Sequence, residues 1–317
     1  MKKIRIIVFV VIILFGFCVA RDFLIKSLIG TVASSVTGAP VRVGGLSLSI
    51  MRQSIKISNL RMYNPSGFPR DLLVDIPRIG VAWDLGALFK GRIHLSQLDI
   101  EIKEFGMVKN KNGKLNVNSL KIIEKKQPVD KAANKPAKQF AIQMDLVNLA
   151  MGRVVDKDYS INGPPVVKVY DINLKKSYKN ITSVQQLATL IITEPLKAAG
   201  IQGLETYGAA MLTGVAVLPV AVAFTFMGKD FARDVLGVSF ERAYDAGLKA
   251  IKGAGIVKEE NKGEGIINAE VDGSRVNLKL NKLSGTSTQV TISARKFGLP
   301  QPAVASGVLY SLKEELK

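Results

Sequence analysis

Apolar residues occupy nearly every second position through much of the chain between Val41 and Leu174. A period of two places successive apolar side chains on one face of a β-strand. The runs are separated by clusters rich in Asn, Gly and Pro, such as residues 64–69 and 110–114, which are typical turn residues. This pattern predicts a twisted, meandering antiparallel β-sheet with one apolar face.

Five apolar positions in these strands are candidates for a surface that faces a ligand. They are Ile55, Ile57, Leu98, Ile100 and Ile102. Each follows the alternating pattern, so its side chain lies on the apolar face of its strand. We predict that they line a groove rather than a closed core.

Residues 6–20 are apolar without a charge and follow three basic residues. This segment is short for a membrane-spanning helix, but the apolar residues just after it extend the span. A retained transmembrane anchor over residues 1–28, a cleaved signal peptide and a lipoprotein signal using Cys18 all fit. The basic residues place the N-terminus in the cytoplasm, and all three cases place the residues that follow the segment in the periplasm. We adopt the retained anchor.

A second uncharged segment runs from Tyr207 to Met227, with Pro219 in its interior. Its 21 positions are long enough to cross a bilayer,. Contact with one leaflet, or a helical hairpin packed under the sheet, also fits the same composition. Pro219 and the scarcity of Leu and Ile lower the propensity for insertion. We therefore expect the C-terminal part of the chain to lie in the periplasm.

The last part of the chain mixes helical and strand patterns and predicts a small α/β unit. We expect helices at residues 239–254 and 303–316, with strands between them and a hairpin turn at Asp272-Gly273,. The predicted fold class is therefore α+β, with an N-terminal transmembrane helix, a β-sheet domain, a helical hairpin and this unit. The corresponding boundaries are 1–28, 29–183 with a linker at 121–138, 184–236, and 237–317.

The composition argues against several kinds of chemistry. The chain has one cysteine and one histidine, His94, so an internal disulfide and a site with several His ligands are excluded. His94 lies in an alternating segment, and we expect it to face water. No P-loop motif and no GxSxG elbow occurs,. We predict no catalytic, metal or cofactor site.

The net charge of +18, from 44 basic and 26 acidic residues, favours anionic partners,. The basic residues are dispersed and aromatic residues are few, which argues against nucleic acid as the partner. The expected partners are therefore a phospholipid or another anionic envelope lipid, and the membrane itself.

Residues 57–68 resemble the signature L-x-I-x-N-P-x-G-F of AsmA-type proteins, with Asn64, Pro65, Gly67 and Phe68 in the turn. Residues 91–102 and the Asn-Gly-Lys-Leu-Asn turn are similar to the family's following elements, and residues 152–174 to its next repeat. The resemblance implies an anchored periplasmic β-domain with an apolar concave face, related to bridge-like lipid-transfer proteins. It implies no catalytic residue. The C-terminal unit resembles small bacterial envelope domains of unknown function.

These observations together predict a non-enzymatic protein of the bacterial inner membrane, with a single N-terminal anchor and its body in the periplasm. It would bind or present lipid near that membrane and contribute to lipid homeostasis of the envelope and outer membrane. About ten strands spaced about 4.8 Å apart span only about 50 Å, too little to bridge two membranes alone. The alternative is a structural or assembly module that binds another envelope protein.

Overall fold

The computed structural model describes residues 27, 29–31, 33–35, 37–121, 142–160, 165–198 and 231–317. Within these ranges the chain is an α+β protein with two six-stranded sheets, each packed against helices. The first sheet is built from the alternating half of the sequence. The second belongs to the C-terminal unit.

The large sheet contains six strands that neighbour one another in chain order. They are β1 (Val41–Ser49), β2 (Ser54–Tyr63), β3 (Leu72–Trp83), β4 (Ile93–Lys109), β5 (Ile142–Asp158) and β6 (Val166–Ile181). All neighbouring pairs are antiparallel except β4 and β5, which are parallel. The prediction of a purely antiparallel meander is therefore wrong at this pair, and the sheet is mixed.

The parallel pairing of β4 and β5 is possible because the connection between these strands is long. Two parallel strands need a crossover of a dozen or more residues, whereas antiparallel strands can be joined by a tight turn. Here residues 110–141 provide the connection, and they begin with the predicted Asn-Gly turn and a short 3-10 helix, Asn116–Ser119. After this turn, Leu115 forms an isolated antiparallel bridge to Lys109 at the end of β4.

Two helices that follow strands of the large sheet are described in full, and the described residues between 27 and 37 are also helical. The five-residue α1 (Leu85–Phe89) connects β3 to β4, and the Asp84 side chain accepts hydrogen bonds from its first backbone N–H groups, a favourable N-cap. The longer α2 (Val184–Ala198) follows β6 and packs on β5 and β6. Its Ile192 and Leu196 are buried in the hydrophobic core of the sheet.

The C-terminal unit follows its predicted plan. Its elements are β7 (Phe231–Leu236), α3 (Phe240–Lys252), β8 (Ile256–Asn261), β9 (Ile266–Val271), β10 (Ser274–Lys282), β11 (Thr288–Lys296), β12 (Leu299–Pro300) and α4 (Pro302–Glu315). Both helices and the Asp272-Gly273 turn are confirmed. The expected helical segment at 184–236 is wrong at its end, because β7 is a strand paired with β11.

Helix α4 joins the two units by packing on both sheets. A Cβ atom at Gly307 would lie 1.8 Å from the carbonyl oxygen of Val167, so this close approach to β6 requires glycine,. Nearby, the Tyr310 hydroxyl donates to Glu104 at 3.0 Å, and Arg153 pairs with the same carboxylate at 2.8 Å. The units therefore share a packed and partly charged junction.

Several predicted segments lie outside the described residues. These are residues 1–26 of the anchor, residues 122–141 with most of the linker, and residues 199–230, which include 207–227. In the described part of the chain, none of the helices has both the length and the apolar character needed to cross a bilayer.

Candidate functional site

Strand register aligns the predicted apolar positions into rows across the large sheet. One row crosses β1 to β5 through Leu46, Ile57, Ile79, Ile100 and Leu149. The next row contains Leu48, Ile55, Val81, Leu98 and Val147. Four of the five predicted candidates therefore lie in two rows, and Ile102 pairs with Met151 farther along β4 and β5. The ten residues of these two rows are called the apolar face.

Burial changes from one side of the apolar face to the other. Leu98, Ile100 and Ile102 are 5%, 6% and 1% exposed and belong to the hydrophobic core. Ile55 and Ile57, on β2, are only half-buried. The predicted candidates therefore divide into core residues on the central strand and partly open residues toward the β1 edge. Within the apolar face, the partly open residues are those on β1, β2 and β3.

A small apolar cavity lies between α2 and the large sheet. Its volume is about 190 Å³, and it is partly open to solvent. Thr37 contributes the only polar side chain among its lining residues. The apolar lining residues are Met62, Leu73, Val74, Phe105, Leu120, Val184, Leu187, Ala188, Ile191 and Ile192. The cavity can therefore accept a hydrocarbon segment but offers almost nothing to a polar ligand.

The residues of the family-like turn form a structural network. Asn64 is buried; its side-chain amide donates to the carbonyl of Pro69 at 2.9 Å, and its Oδ1 accepts from Asn116 Nδ2 at 2.7 Å. Gly67, with φ of +89°, offers its carbonyl to the side chain of Asn110 at 3.0 Å. Pro65 is buried beside them, and Phe68 is half-buried. These residues connect two turns at one end of the sheet.

His94 lies between two carboxylates, and its side chain is partly exposed to water. Its Nε2 is 2.8 Å from Asp145 and its Nδ1 is 3.4 Å from Asp84. Hydrogen bonding to Asp145, and then to Asp84, raises the pKa of His94 above its usual value of 6.5. No group of three or more His, Cys, Asp or Glu side chains among the described residues is arranged to hold a metal ion.

A second charged cluster lies near the junction of the two units. Asp156 on β5 pairs in register with Lys168 on β6, and Lys168 forms a 2.7 Å ion pair with Asp272 of the C-terminal unit. Burial raises the pKa of Asp156 to about 7, against the opposing effect of Lys168. Each cluster joins side chains of neighbouring strands, His94 with Asp145 across β4 and β5, and Asp156 with Lys168 across β5 and β6.

Sequence analysis missed the contribution of α2 to this site. Val184, Leu187 and Ile191 line the cavity, whereas the sequence predicts only that they belong to a helical hairpin. The spacing of three and four residues in this helix was the available signal, because it places them on one face. The strand residues that these three side chains contact depend on the fold and are not indicated by the spacing.

Comparison with known proteins gives no assignment. No family model matches the chain, and no curated protein matches it.

Proposed function

We propose that this protein is a non-enzymatic, membrane-anchored envelope protein that binds the hydrocarbon chain of a lipid on its large sheet. The observation that carries the proposal is the cavity of about 190 Å³ with almost entirely apolar walls. Small-molecule sites are commonly about 300–1,000 Å³, so this cavity fits part of one acyl chain. The half-buried apolar face on β1–β3 offers a surface for the rest of it.

The proposed location rests on the sequence. The apolar run at 6–20 after basic residues supports an inner-membrane anchor and a periplasmic body,. The resemblance of residues 57–68 and 91–102 to AsmA-type proteins supports a role in lipid homeostasis of the envelope. The net charge of +18 supports an anionic phospholipid as the bound molecule,.

An assembly module that binds another envelope protein is the second candidate. It is supported by β1, which forms an edge of the large sheet with no further described strand paired beyond it. Such an edge offers backbone N–H and C=O groups to an added strand. This function would use the backbone of β1 and would not need the cavity.

The test fills the cavity without adding a charge. Ala188 lines the cavity on α2, and Ala188→Phe should lower the affinity of the full chain for a dansyl-labelled fatty acid. We expect roughly a tenfold loss or more, because each excluded methylene is worth about 0.8 kcal/mol. The measurement is dansyl fluorescence titrated with protein.

The matched control is Ala198→Phe, which places the same ring at an exposed position of the same helix. It should bind the fatty acid like the wild type. Equal binding by Ala188→Phe and the wild type would contradict the cavity as the lipid site. Retained pull-down of an envelope protein together with no fatty-acid binding in either chain would favour the assembly module instead.

A further inference from the structure

The turn between β11 and β12 presents two apolar side chains to solvent. Lys296 pairs with Leu299, so Phe297 and Gly298 are the two central residues of a tight hairpin. Phe297 is 96% exposed and Leu299 is 67% exposed. A large aromatic side chain at this degree of exposure gains nothing from packing within its own unit.

The backbone makes Phe297 still more unusual. Its φ is +51° and that of Gly298 is +81°, the signs that a type I′ turn requires. Asn, Asp and Gly are preferred at such positions, and a bulky residue with positive φ is a genuine outlier. Strain of this kind, at a position without internal contacts, points to a role outside the folded unit.

Two arginines lie directly beside this tip on the outward face of the small sheet. Arg275 and Arg295 are paired in register across β10 and β11. Like charges directly opposite each other destabilise a sheet. Neither guanidinium group has a hydrogen-bond or ion-pair partner in the described part of the chain. The pair is therefore arranged to receive an anion from outside.

The arginines and the tip share one concave surface. A pocket of about 780 Å³ is lined by Arg275, Arg295 and Phe297, together with Lys258 and Glu270. Glu270 lies opposite Arg275 in register and forms an ion pair of 3.1 Å with Lys258. Three basic side chains and one carboxylate therefore line the pocket, and its net charge is positive. The pocket opens between polar strand residues such as Asn277 and Ser293.

We propose that this surface, the Phe297 tip with Arg275 and Arg295, docks on a bilayer that contains anionic phospholipid. A bilayer surface offers phosphate groups to the arginines and, just beneath them, an acyl boundary to Phe297 and Leu299. A small soluble anion would use the arginines but not the exposed tip. The inference does not depend on the proposed acyl-chain cavity, which lies on the other sheet.

The test places a fluorescent probe at the tip of the full chain. Phe297→Trp adds one tryptophan to the single native one, Trp83, whose signal is subtracted with the wild type. The chain is reconstituted into vesicles of phosphatidylcholine with or without phosphatidylglycerol, each carrying brominated acyl chains. We expect strong quenching of the new tryptophan with phosphatidylglycerol and little without it. Equal quenching in both vesicles, or none in either, would overturn the proposal.

Charge removal gives the second arm. In the Phe297→Trp background, Arg275→Gln with Arg295→Gln should reduce the ratio of docked to undocked tip roughly 30-fold. Lys56→Gln with Lys103→Gln removes two exposed charges from the large sheet and should leave quenching unchanged. If both pairs of substitutions changed the quenching equally, the arginines would contribute only through the net charge of the protein, and the proposed site would be contradicted. Inorganic phosphate binding without docking would mark a small-anion site and would also overturn it.

The third arm separates docking from folding. Asn tolerates positive φ, so Phe297→Asn should keep or raise the melting temperature. With Leu299→Trp as the probe, the same substitution should weaken quenching by phosphatidylglycerol vesicles. A probe that is quenched equally with and without the Phe297→Asn substitution would show that the apolar tip is not needed.

Discussion

The two sheets have the same number of strands within the described residues, but they close their apolar faces to different degrees. In the small sheet, Val276, Leu278 and Leu280 alternate along β10 and are at most 2% exposed. In the large sheet, Leu98, Ile100 and Ile102 of β4 are buried, whereas the apolar residues of β1 are only half-buried. The small sheet has α3 and α4 above it, whereas α2 packs mainly on β5 and β6 of the large sheet.

This comparison shows that alternation along strands does not determine whether an apolar face becomes a core. Both sheets display the same period of two. What differs is the helical cover, since a face is removed from water only where another element packs on it. The β1–β3 side of the large sheet therefore keeps apolar side chains partly in contact with water.

The largest predicted effect comes from making the same Leu→Ala substitution in each of the two sheets. Leu278→Ala should cost about 2–5 kcal/mol of unfolding free energy, because it leaves a cavity in a closed core. Leu46→Ala, at a half-buried position of β1, should cost only about 1 kcal/mol. Urea denaturation of both variants, with hydrogen exchange to locate the loss, measures the difference.

Leu283 provides the control for this experiment because it is 55% exposed. Leu283→Ala should change the free energy of unfolding by less than about 0.5 kcal/mol. If Leu46→Ala proved as costly as Leu278→Ala, the face around β1 would be as tightly packed as the small core. The proposed open surface would then be lost.

The C-terminal unit was the more predictable of the two regions because its signals are local. Ser239 caps α3 by accepting from the N–H of Arg242, and the Asp272-Gly273 dipeptide suits a two-residue hairpin turn. The missed strand β7 lies apart from its sheet in sequence and is defined by pairing with β11. The parallel pairing of β4 and β5 likewise depends on the path of a long connection, which local patterns do not record.

The candidate site was predicted only in part, for a related reason. Alternation identified Ile57 and Ile100 as residues of one face, and register places them in one row. Their different burial depends on elements distant in sequence. Arg275 and Arg295 face each other because of the register between β10 and β11, which the alternating pattern alone does not determine.

The second prediction concerns the rigid end of the large sheet. Asn116 is fully buried; its Oδ1 accepts from the N–H groups of Val108 and Val117, and its Nδ2 donates to Asn64 and Gly106. Asn116→Ala should cost about 1–3 kcal/mol, because buried polar groups lose their partners. The loss should appear in the urea transition and in hydrogen exchange of the large sheet only.

A double-mutant cycle with Asn64→Ala sharpens this test. The two side chains share a 2.7 Å hydrogen bond, so their effects should not be additive. Additive losses would show that the two turns are held independently. Exchange that rises equally in the small sheet would show that the two units unfold as one and would remove the distinction drawn between them.

The smallest predicted effect uses pH, because the only histidine of the chain lies in the large sheet. Asp145 and Asp84 raise the folded-state pKa of His94 above its ordinary 6.5. A raised pKa means that the folded state binds the proton more tightly than the unfolded state. The resulting stability is fully present below about pH 6.5 and is lost as the pH rises through the folded-state pKa.

We expect the large sheet to lose less than about 1 kcal/mol across this range, since the ion pairs of His94 are partly exposed to solvent,. Asp156, whose raised pKa is about 7, shifts stability in the same direction, so the wild type alone does not isolate His94. The contribution of His94 is isolated by comparing the urea midpoints of the wild type and His94→Gln from pH 5.5 to 8.5. An identical slope in the two chains would contradict the role of the histidine. The small sheet, which has no histidine, should show no such difference in hydrogen exchange.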